Sequence, residues 1–364
     1  MLKFLELKPE TFGLDISDLS LKIIKLKKRG ESLTLASFGE KEIKPGIIQA
    51  GEIKDEKKLA ETIKEAVKSV KGEKIKTKYV VASLPEKKAF LQVIQMPRMS
   101  EEDLKSALIY EAENYIPLPI DQVYLDFQII SPVFNHLDHL DILIAALPKK
   151  TVDPYLSCLK SAGLKPKVLE IESLAISRAL IKDEVAVSPI LLIDIGATRT
   201  SFIIFSGRSL RFTSSILVSS GSFSEIISKA LKIDLSEAEK LKNEYGLQIK
   251  GNEGKEVFEA LVPALTDLVQ QIRRYFTYYQ THASHEHLPP NGKGVSKVFL
   301  CGGGANLKGL TDFLSLQLKI PTELGNPWIN ILAESQKEFR KLLSGESLRY
   351  ATALGLALRG IKEK

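Results

Sequence analysis

Two short segments carry residues that together suit a polyphosphate. Leu14-Asp15-Ile16-Ser17, followed by Leu21-Lys22-Ile23-Ile24, is matched half a chain later by Ile193-Asp194-Ile195-Gly196, followed by Thr200-Ser201-Phe202-Ile203. Each copy is an apolar strand ending in Asp, a turn of small residues, and a second strand. Backbone N–H groups and hydroxyls in such a turn converge on a concavity that fits phosphate oxygens. An Asp beside phosphate is repulsive unless a cation stands between them, and Mg2+, which keeps most of its waters, suits that place. Asp15 and Asp194 would then orient hydrated Mg2+. Gly196, Thr198 and Thr200 would give close approach and hydroxyl donors, and Lys22 a cation for the phosphates. Taken singly, an Asp before a small residue at a strand end is ordinary turn chemistry. The repetition with matched flanks is what points to a duplicated lobe.

A third element follows the two hairpins. Val298-Phe299-Leu300-Cys301 is a buried-looking strand that breaks into Gly302-Gly303-Gly304 before a helix from Leu307. Consecutive glycines let a flat ligand approach the backbone and aim a helix N-terminus at it. Alone they also suit a packed turn. Lys308 is not part of a GxxxxGK[ST] phosphate loop.

These segments need strands and helices to hold them. Phe12–Asp15, Leu21–Leu26 and Thr34–Glu40 read as strands, and Leu59, Ile63, Val67 and Val70 mark one face of a helix over Lys57–Val70. A differently patterned block runs from about 84 to about 164. It has strands at Phe90–Gln95, Val123–Ile130 and Asp141–Leu147, and a helix opened by a Ser100/Asp103 N-cap box. A helix at Val152–Ala162 completes it as an inserted α+β unit. Strands at Pro189–Ala197, Arg199–Phe205 and Leu210–Leu217 precede helices at Ser222–Leu231, Ser236–Tyr245 and Val257–His282. The tyrosines and phenylalanine of 275–279 read as core packing, and Trp328 as an anchor for the loop after the last strand.

Composition limits the alternatives. A chain of 364 residues exceeds what one core usually supports, so two lobes are expected. The net charge of +6 comes from 51 basic and 45 acidic residues spread along the chain. The densest basic run, Lys22–Arg29, alternates with apolar residues and reads as the wet face of a strand, so no nucleic-acid partner is expected. Two distant cysteines, Cys158 and Cys301, suit a reducing cytosol. The opening residues lack a signal peptide's apolar stretch, and no run approaches the roughly 18–20 apolar residues that cross a bilayer. His282, His285 and His287 lie close in sequence without a neighbouring Cys and read as a solvated loop rather than a metal site.

The order of Asp hairpin, second Asp-Ile-Gly hairpin and strand ending in three glycines resembles the actin/Hsp70/hexokinase superfamily. Within it the chain resembles the PilM family, the FtsA-like cytoplasmic proteins of bacterial type IV pilus assembly and twitching motility. FGLDIS…LKIIKL, MSEEDLKSALIYEAENYIPLPIDQVYLDFQII, AGLKPKVLEIESLAISRAL, LLIDIGATRTSFIIF, AEKLKNEYGL, CGGGANLKGLTDFLSLQLKIPTELGNPW and ATALGLALRG carry the likeness over nearly the whole chain.

The resemblance implies an α/β, two-lobed, actin-like (ribonuclease H-like) ATPase fold with an FtsA-like inserted α+β subdomain in the first lobe. The lobes would be 1–187, with the insertion at about 84–164, and 188–364, with a 2B-type subdomain at about 218–297. It also implies ATP and Mg2+ as ligands. Asp15, Ser20 and Lys22 match the first phosphate motif, and Asp194, Gly196, Thr198 and Thr200 the second. Gly221 and Ser224 match the turn behind the nucleotide, Glu239 and Lys242 the pair that reaches the ribose, and Gly302, Gly303 and Gly304 the adenosine motif. Glu172 falls where superfamily ATPases place an acidic or amide residue near the attacking water. It reads equally as a polar residue opening a helix. The partner implied is the N-terminal cytoplasmic tail of PilN, docked in a groove involving the insertion, with other pilus platform and motor components and self-association beside it. The chain would sit in the cytoplasm and reach the inner membrane face through that partner.

The first turn departs from the superfamily pattern, with Ser17 in place of Gly and Asp18 where Ser or Thr is usual. A carboxylate there repels phosphate unless it faces solvent or helps hold the metal. ATP binding with slow or absent hydrolysis is therefore expected. An active ATPase or sugar-kinase-like enzyme is the alternative, and lacks a convincing base beside a substrate pocket. An FtsA-like membrane-bound division protein is another, and lacks a C-terminal amphipathic helix.

Overall fold

The computed structural model describes residues 9–30, 32–133, 138–283, 288, 294–331 and 346–362. The first segment forms β1 (Phe12–Ile16), β2 (Ser20–Arg29), β3 (Ser32–Glu42), the small hairpin β4 (Ile48–Gln49) and β5 (Glu52–Ile53), helix α1 (Glu56–Lys68), β6 (Lys71–Gly72) and β7 (Tyr79–Leu84). Asp55 caps α1 by accepting the Lys58 N–H, and the helix buries Leu59, Ala60, Ile63 and Ala66, the face its spacing dictates.

Between β7 and β11 (Lys165–Ile171) lie β8 (Phe90–Pro97), α2 (Glu101–Glu113), β9 (Val123–Ile130), β10 (His139–Pro148) and α3 (Lys149–Ser161). Strands β8, β10 and β9 make their own antiparallel sheet in that order. Helix α2 covers one face, packing Leu104, Leu108 and Ala112 on Ile94, Met96, Ile142 and Ile144. Its N-cap is Ser100, whose Oγ accepts the Asp103 N–H and donates to Asp103 Oδ2. Helix α3, read from sequence as part of this unit, packs elsewhere. Its Val152, Tyr155, Cys158 and Leu159 join the core beneath the first large sheet.

That sheet has the order β11-β7-β1-β2-β3-β6, with β11, β7 and β1 parallel and the β1–β2–β3 meander antiparallel. Lys25, expected on a wet face of β2, is buried and paired with Glu10 at 2.6 Å. The chain continues through α4 (Glu172–Leu180) to β12 (Ala186–Ile195), β13 (Thr200–Gly207), β14 (Ser209–Ile216), α5 (Ser220–Leu231), α6 (Leu235–Tyr245), α7 (Gly251–His282), β15 (Lys297–Cys301), α8 (Leu310–Leu318), β16 (Thr322–Leu324) and α9 (Ala351–Lys362). The second large sheet, β14-β13-β12-β15-β16, repeats the topology of β3-β2-β1-β7-β11 strand for strand. Asp15 pairs with Lys22 across β1 and β2, and Asp194 with Ser201 across β12 and β13, so the sequence repeat is a structural one. Tyr279 is buried in the second-lobe core and Tyr275 lies 5.0 Å from Phe202, while Trp328 packs with Tyr350 and Leu354.

Helices α4 and α9 join the lobes by crossing at close range. A Cβ on Gly355 of α9 would overlap the Ala175 carbonyl of α4, so only glycine allows this approach. The inserted sheet meets the second lobe through a buried ion pair. Arg211 Nη1 of β14 lies 2.7 Å from Asp141 Oδ2 of β10, and both side chains are less than a twentieth exposed, at 3% and 4%. Removing one member strips the other of its ion-pair partner in a buried place, at a cost of about 3–5 kcal/mol, although His139 Nε2 stays 3.3 Å from Asp141 Oδ1. Arg211→Ala is therefore expected to lower the stability read by urea unfolding by that order. Pairing Arg211→Met with Asp141→Leu is expected to restore most of the loss.

Candidate functional site

Parallel strands direct their C-terminal ends to one edge of a sheet, where ligands of α/β proteins bind. In this chain β1, β7, β11, β12 and β15 all end at the cleft between the lobes. They deliver Asp15, Glu86, Glu172, Asp194 and Gly302–Gly304 to it. The cleft holds about 320 Å3, within the range of small-ligand sites.

On the first-lobe side, Ser83 Oγ donates to Asp15 Oδ1 at 3.1 Å and accepts the Ile16 N–H at 2.7 Å. Lys22 Nζ lies 3.9 Å from Asp15 Oδ2 and donates to Ser20 Oγ at 2.7 Å. Asp18, expected to repel phosphate from the turn, has its carboxylate engaged by the Gly51 N–H and the Thr198 hydroxyl. On the second-lobe side, the Ser220 and Gly221 N–H groups at the start of α5 donate to the Gly196 and Ala197 carbonyls at 3.0 and 3.1 Å, which fixes the second turn. Gly302 has φ +81, and a Cβ there would overlap Asp194 Oδ1, whereas a Cβ on Gly303 would meet nothing. The glycine run therefore both admits Asp194 and leaves an open backbone edge.

The cleft is electrostatically one-sided. Burial, then the charge of Asp15, pushes Asp194 up to about 6 against the pull of Lys22 and the Cys301 thiol. Burial also raises Asp15, opposed by Lys22 and the Ser83 hydrogen bond. Glu172 is driven well up by burial and by Asp15. It opens α4 and accepts the Glu86 N–H at 3.1 Å, which partly offsets that rise. Glu86, likewise raised by burial, accepts the Ser173 N–H. The carboxylates of Asp15, Glu86, Glu172 and Asp194 gather near Lys22, the kind of charge a divalent cation neutralises. Among the described residues no group of three or more His, Cys, Asp or Glu is placed to hold a metal ion.

Of the residues read from sequence, Asp15, Ser20, Lys22, Glu172, Asp194, Gly196, Thr198, Glu239, Gly302, Gly303 and Gly304 line the cleft. Thr200, Gly221, Ser224 and Lys242 stand behind it. Thr200 is fully buried as the first residue of β13, its hydroxyl without a hydrogen-bond partner among the described residues. Lys242 Nζ donates to Ser220 Oγ, Ser224 Oγ and Glu239 Oε2 at 2.7–3.0 Å, so it sets the wall instead of forming it. Sequence reasoning missed Glu86, Tyr155, Ser220, Asn243, Arg349 and Thr352. Only Glu86, just past the end of an apolar strand, carried a signal that could have found it. Tyr278 stacks on His282 at 4.2 Å, and His285 and His287 lie outside the described residues.

The family model of the type IV pilus assembly protein PilM matches residues 13–361. The chain belongs to the PilM family. The solved PilM-PilN type IV pilus biogenesis complex is similar at 28% identity and TM-score 0.79, over 98% of this chain and 100% of that one. MreB5 of Spiroplasma citri bound to AMPPNP matches at 15% identity and TM-score 0.55, covering 98% of each chain. EutJ of Carboxydothermus hydrogenoformans matches at 14% and 0.55, over 97% of this chain and 90% of that one. These last two share the fold, and the PilM-family chain is accordingly an actin-like α/β protein. Among its described residues no helix is long and apolar enough to cross a membrane.

The raised Asp194 sets a testable balance of stability. Its ordinary value is 3.8, so between there and about 6 the folded chain keeps a proton that the unfolded chain has lost. Stability from this group falls as pH rises through that window, and above it the folded state carries the full cost. Asp194→Asn is expected to raise stability at pH 7 by about 1–3 kcal/mol, from about 1.4 kcal/mol per pKa unit, with the gain gone near pH 4. Thermal unfolding across pH reads this out.

Proposed function

We propose that this chain is a nucleotide-responsive adaptor of type IV pilus assembly. It binds ATP with Mg2+ between its lobes, 1–187 and 188–364, and grips the N-terminal cytoplasmic tail of PilN in a separate groove. The groove is the observation that carries the reading. It has a volume of about 420 Å3, and it runs between the edge strand β9 of the inserted sheet and the edge strand β11 of the first lobe. Leu125, Phe127, Leu156, Leu169 and Leu174 line it half-buried, with Asp126, Gln128, Glu170, Arg178 and Arg359 among its polar members. Two strand edges with apolar walls suit an extended peptide, whose backbone pairs with an edge while alternate side chains enter the wall. The PilM-PilN complex among the similar structures supports a PilN tail as that peptide. A membrane-borne tail would bring a cytoplasmic chain to the inner membrane face, beside other platform components and further copies of itself.

In the interlobe cleft, Asp15 and Asp194 would hold a hydrated Mg2+, which neutralises phosphate charge when bound. Lys22, Ser20, Gly196 and Thr198 would bind the phosphates. Glu239, held by Lys242 and Asn243, would reach the ribose, and Gly302–Gly304 would lie against the base. Glu172, held by the Glu86 N–H, would stand near an attacking water, and with Ser17 and Asp18 departing from the usual first turn hydrolysis is expected to be slow or absent. Ligand bound between the lobes can shift the tail's affinity only by favouring one lobe arrangement.

Titration with mant-ATP is expected to give saturable, Mg2+-dependent binding that strengthens from pH 5 to pH 7 as Asp194 ionises. Absence of saturation would remove the nucleotide half of the reading. A PilN N-terminal peptide is expected to bind the full chain, and Leu156→Asp or Leu174→Asp to weaken it at least about tenfold by placing a charge in the apolar wall. Undiminished peptide binding by both folded variants would place the tail elsewhere.

A further inference from the structure

Asp18 stands on the turn between β1 and β2, and its carboxylate is engaged on two sides. Oδ1 accepts the Gly51 N–H at 2.9 Å, and Oδ2 accepts the Thr198 hydroxyl at 3.4 Å. Gly51 belongs to the turn between β4 and β5, and its carbonyl accepts the buried Tyr155 hydroxyl at 3.1 Å. The donor that holds Asp18 is therefore itself held. Thr198 belongs to the opposite lobe, on the turn that carries Gly196. The Asp18–Thr198 bond crosses the cleft from one phosphate-facing turn to the other, and all three residues line it.

A polyphosphate gripped by both turns has to pass between them. Oxygens 3.4 Å apart leave no room for a phosphate group, so two-sided grip requires this bond to break. The carboxylate then remains anchored on Gly51 and faces the incoming oxygens with like charge, while Thr198 exchanges one anion for another. With a base against Gly302–Gly304 and a ribose near Glu239, the phosphate chain would run toward the turns, where its outermost member would meet Asp18. The repulsion grows with the charge that reaches it and is strongest in a cleft shielded from water.

The geometry points to Asp18 as a specificity-determining residue that makes the cleft favour a nucleoside diphosphate over the corresponding triphosphate. This rests on the nucleotide reading above and adds which phosphorylation state is held more tightly. In a nucleoside diphosphate the chain stops short of Asp18, and the bridge to Thr198 stays intact.

The test is displacement of mant-ADP by Mg-ADP and by Mg-AMP-PNP, on the full chain, Asp18→Ser and Asp18→Asn. The native chain is expected to prefer Mg-ADP by at least about tenfold, the scale of one like-charge contact. Both variants are expected to lose most of that preference by gaining affinity for Mg-AMP-PNP, with Mg-ADP little changed. Asp18→Asn keeps the side-chain shape, so its result separates charge from packing. Equal affinities in the native chain, or variants that weaken both nucleotides together, would overturn the role of Asp18. The second outcome would assign the carboxylate to the metal ion. If mant-ADP binds none of the three proteins, the nucleotide reading falls first and this inference with it.

Discussion

Asp15 and Asp194 converge on one cleft, where burial raises both and the charge of Asp15 further opposes ionisation of Asp194. The folded chain maintains that repulsion because two whole sheets converge on it. Asp15 is braced by Ser83 and Lys22, Asp194 by the Cys301 thiol, and Gly302 is bare so that the Asp194 carboxylate has room. Stability given up at one place for a charge arrangement useful only with a ligand is the usual mark of a functional site.

What enforces the convergence is the contact between α4 and α9. Gly355 lets α9 lie against the Ala175 carbonyl, and Gly13 of β1 lets the other side of α9 approach the first sheet. With the two sheets set across these helices, five parallel strand ends open on one gap. The same helices bound the apolar groove between β9 and β11, since Leu174 and Arg178 of α4 and Arg359 of α9 line it. One pair of crossing helices is thus shared by the two sites. The inserted sheet adds a second connection, because its β9 edge borders the groove while Asp141 on β10 is bound to Arg211 of the second lobe. Motion of the lobes relative to each other would be felt at the groove along both routes.

Local pattern made much of this legible. Alternating apolar residues located the strands, Ser100 marked a helix start, and the repeated Asp hairpins placed Asp15 and Asp194 in equivalent roles. Each of these rests on interactions between neighbours in the chain, or on a repetition visible within it. The glycines of 302–304 were reachable because they follow an apolar strand, whereas a role for Glu172 came only from the family resemblance.

Long-range packing decided the rest. Whether Val152–Leu159 covers the inserted sheet or the large one depends on which apolar surface is free, and no local pattern reports that. Thr200 and Thr198 are alike in sequence, yet Thr198 stands on the turn facing the cleft while Thr200, the first residue of β13, is buried in the core. Lys242 has the charge to touch a ligand, but Ser220, Ser224 and Glu239 surround it and place it behind the wall. Asp18 read as a defect in a phosphate turn. Only the fold brings Gly51 and Thr198, from distant parts of the chain, to its two oxygens. The sequence by itself determined the elements, the duplication and the residue types facing a ligand. The tertiary structure decided which of those residues face it and what opposes each charge, because burial and pairing are properties of the assembled lobes.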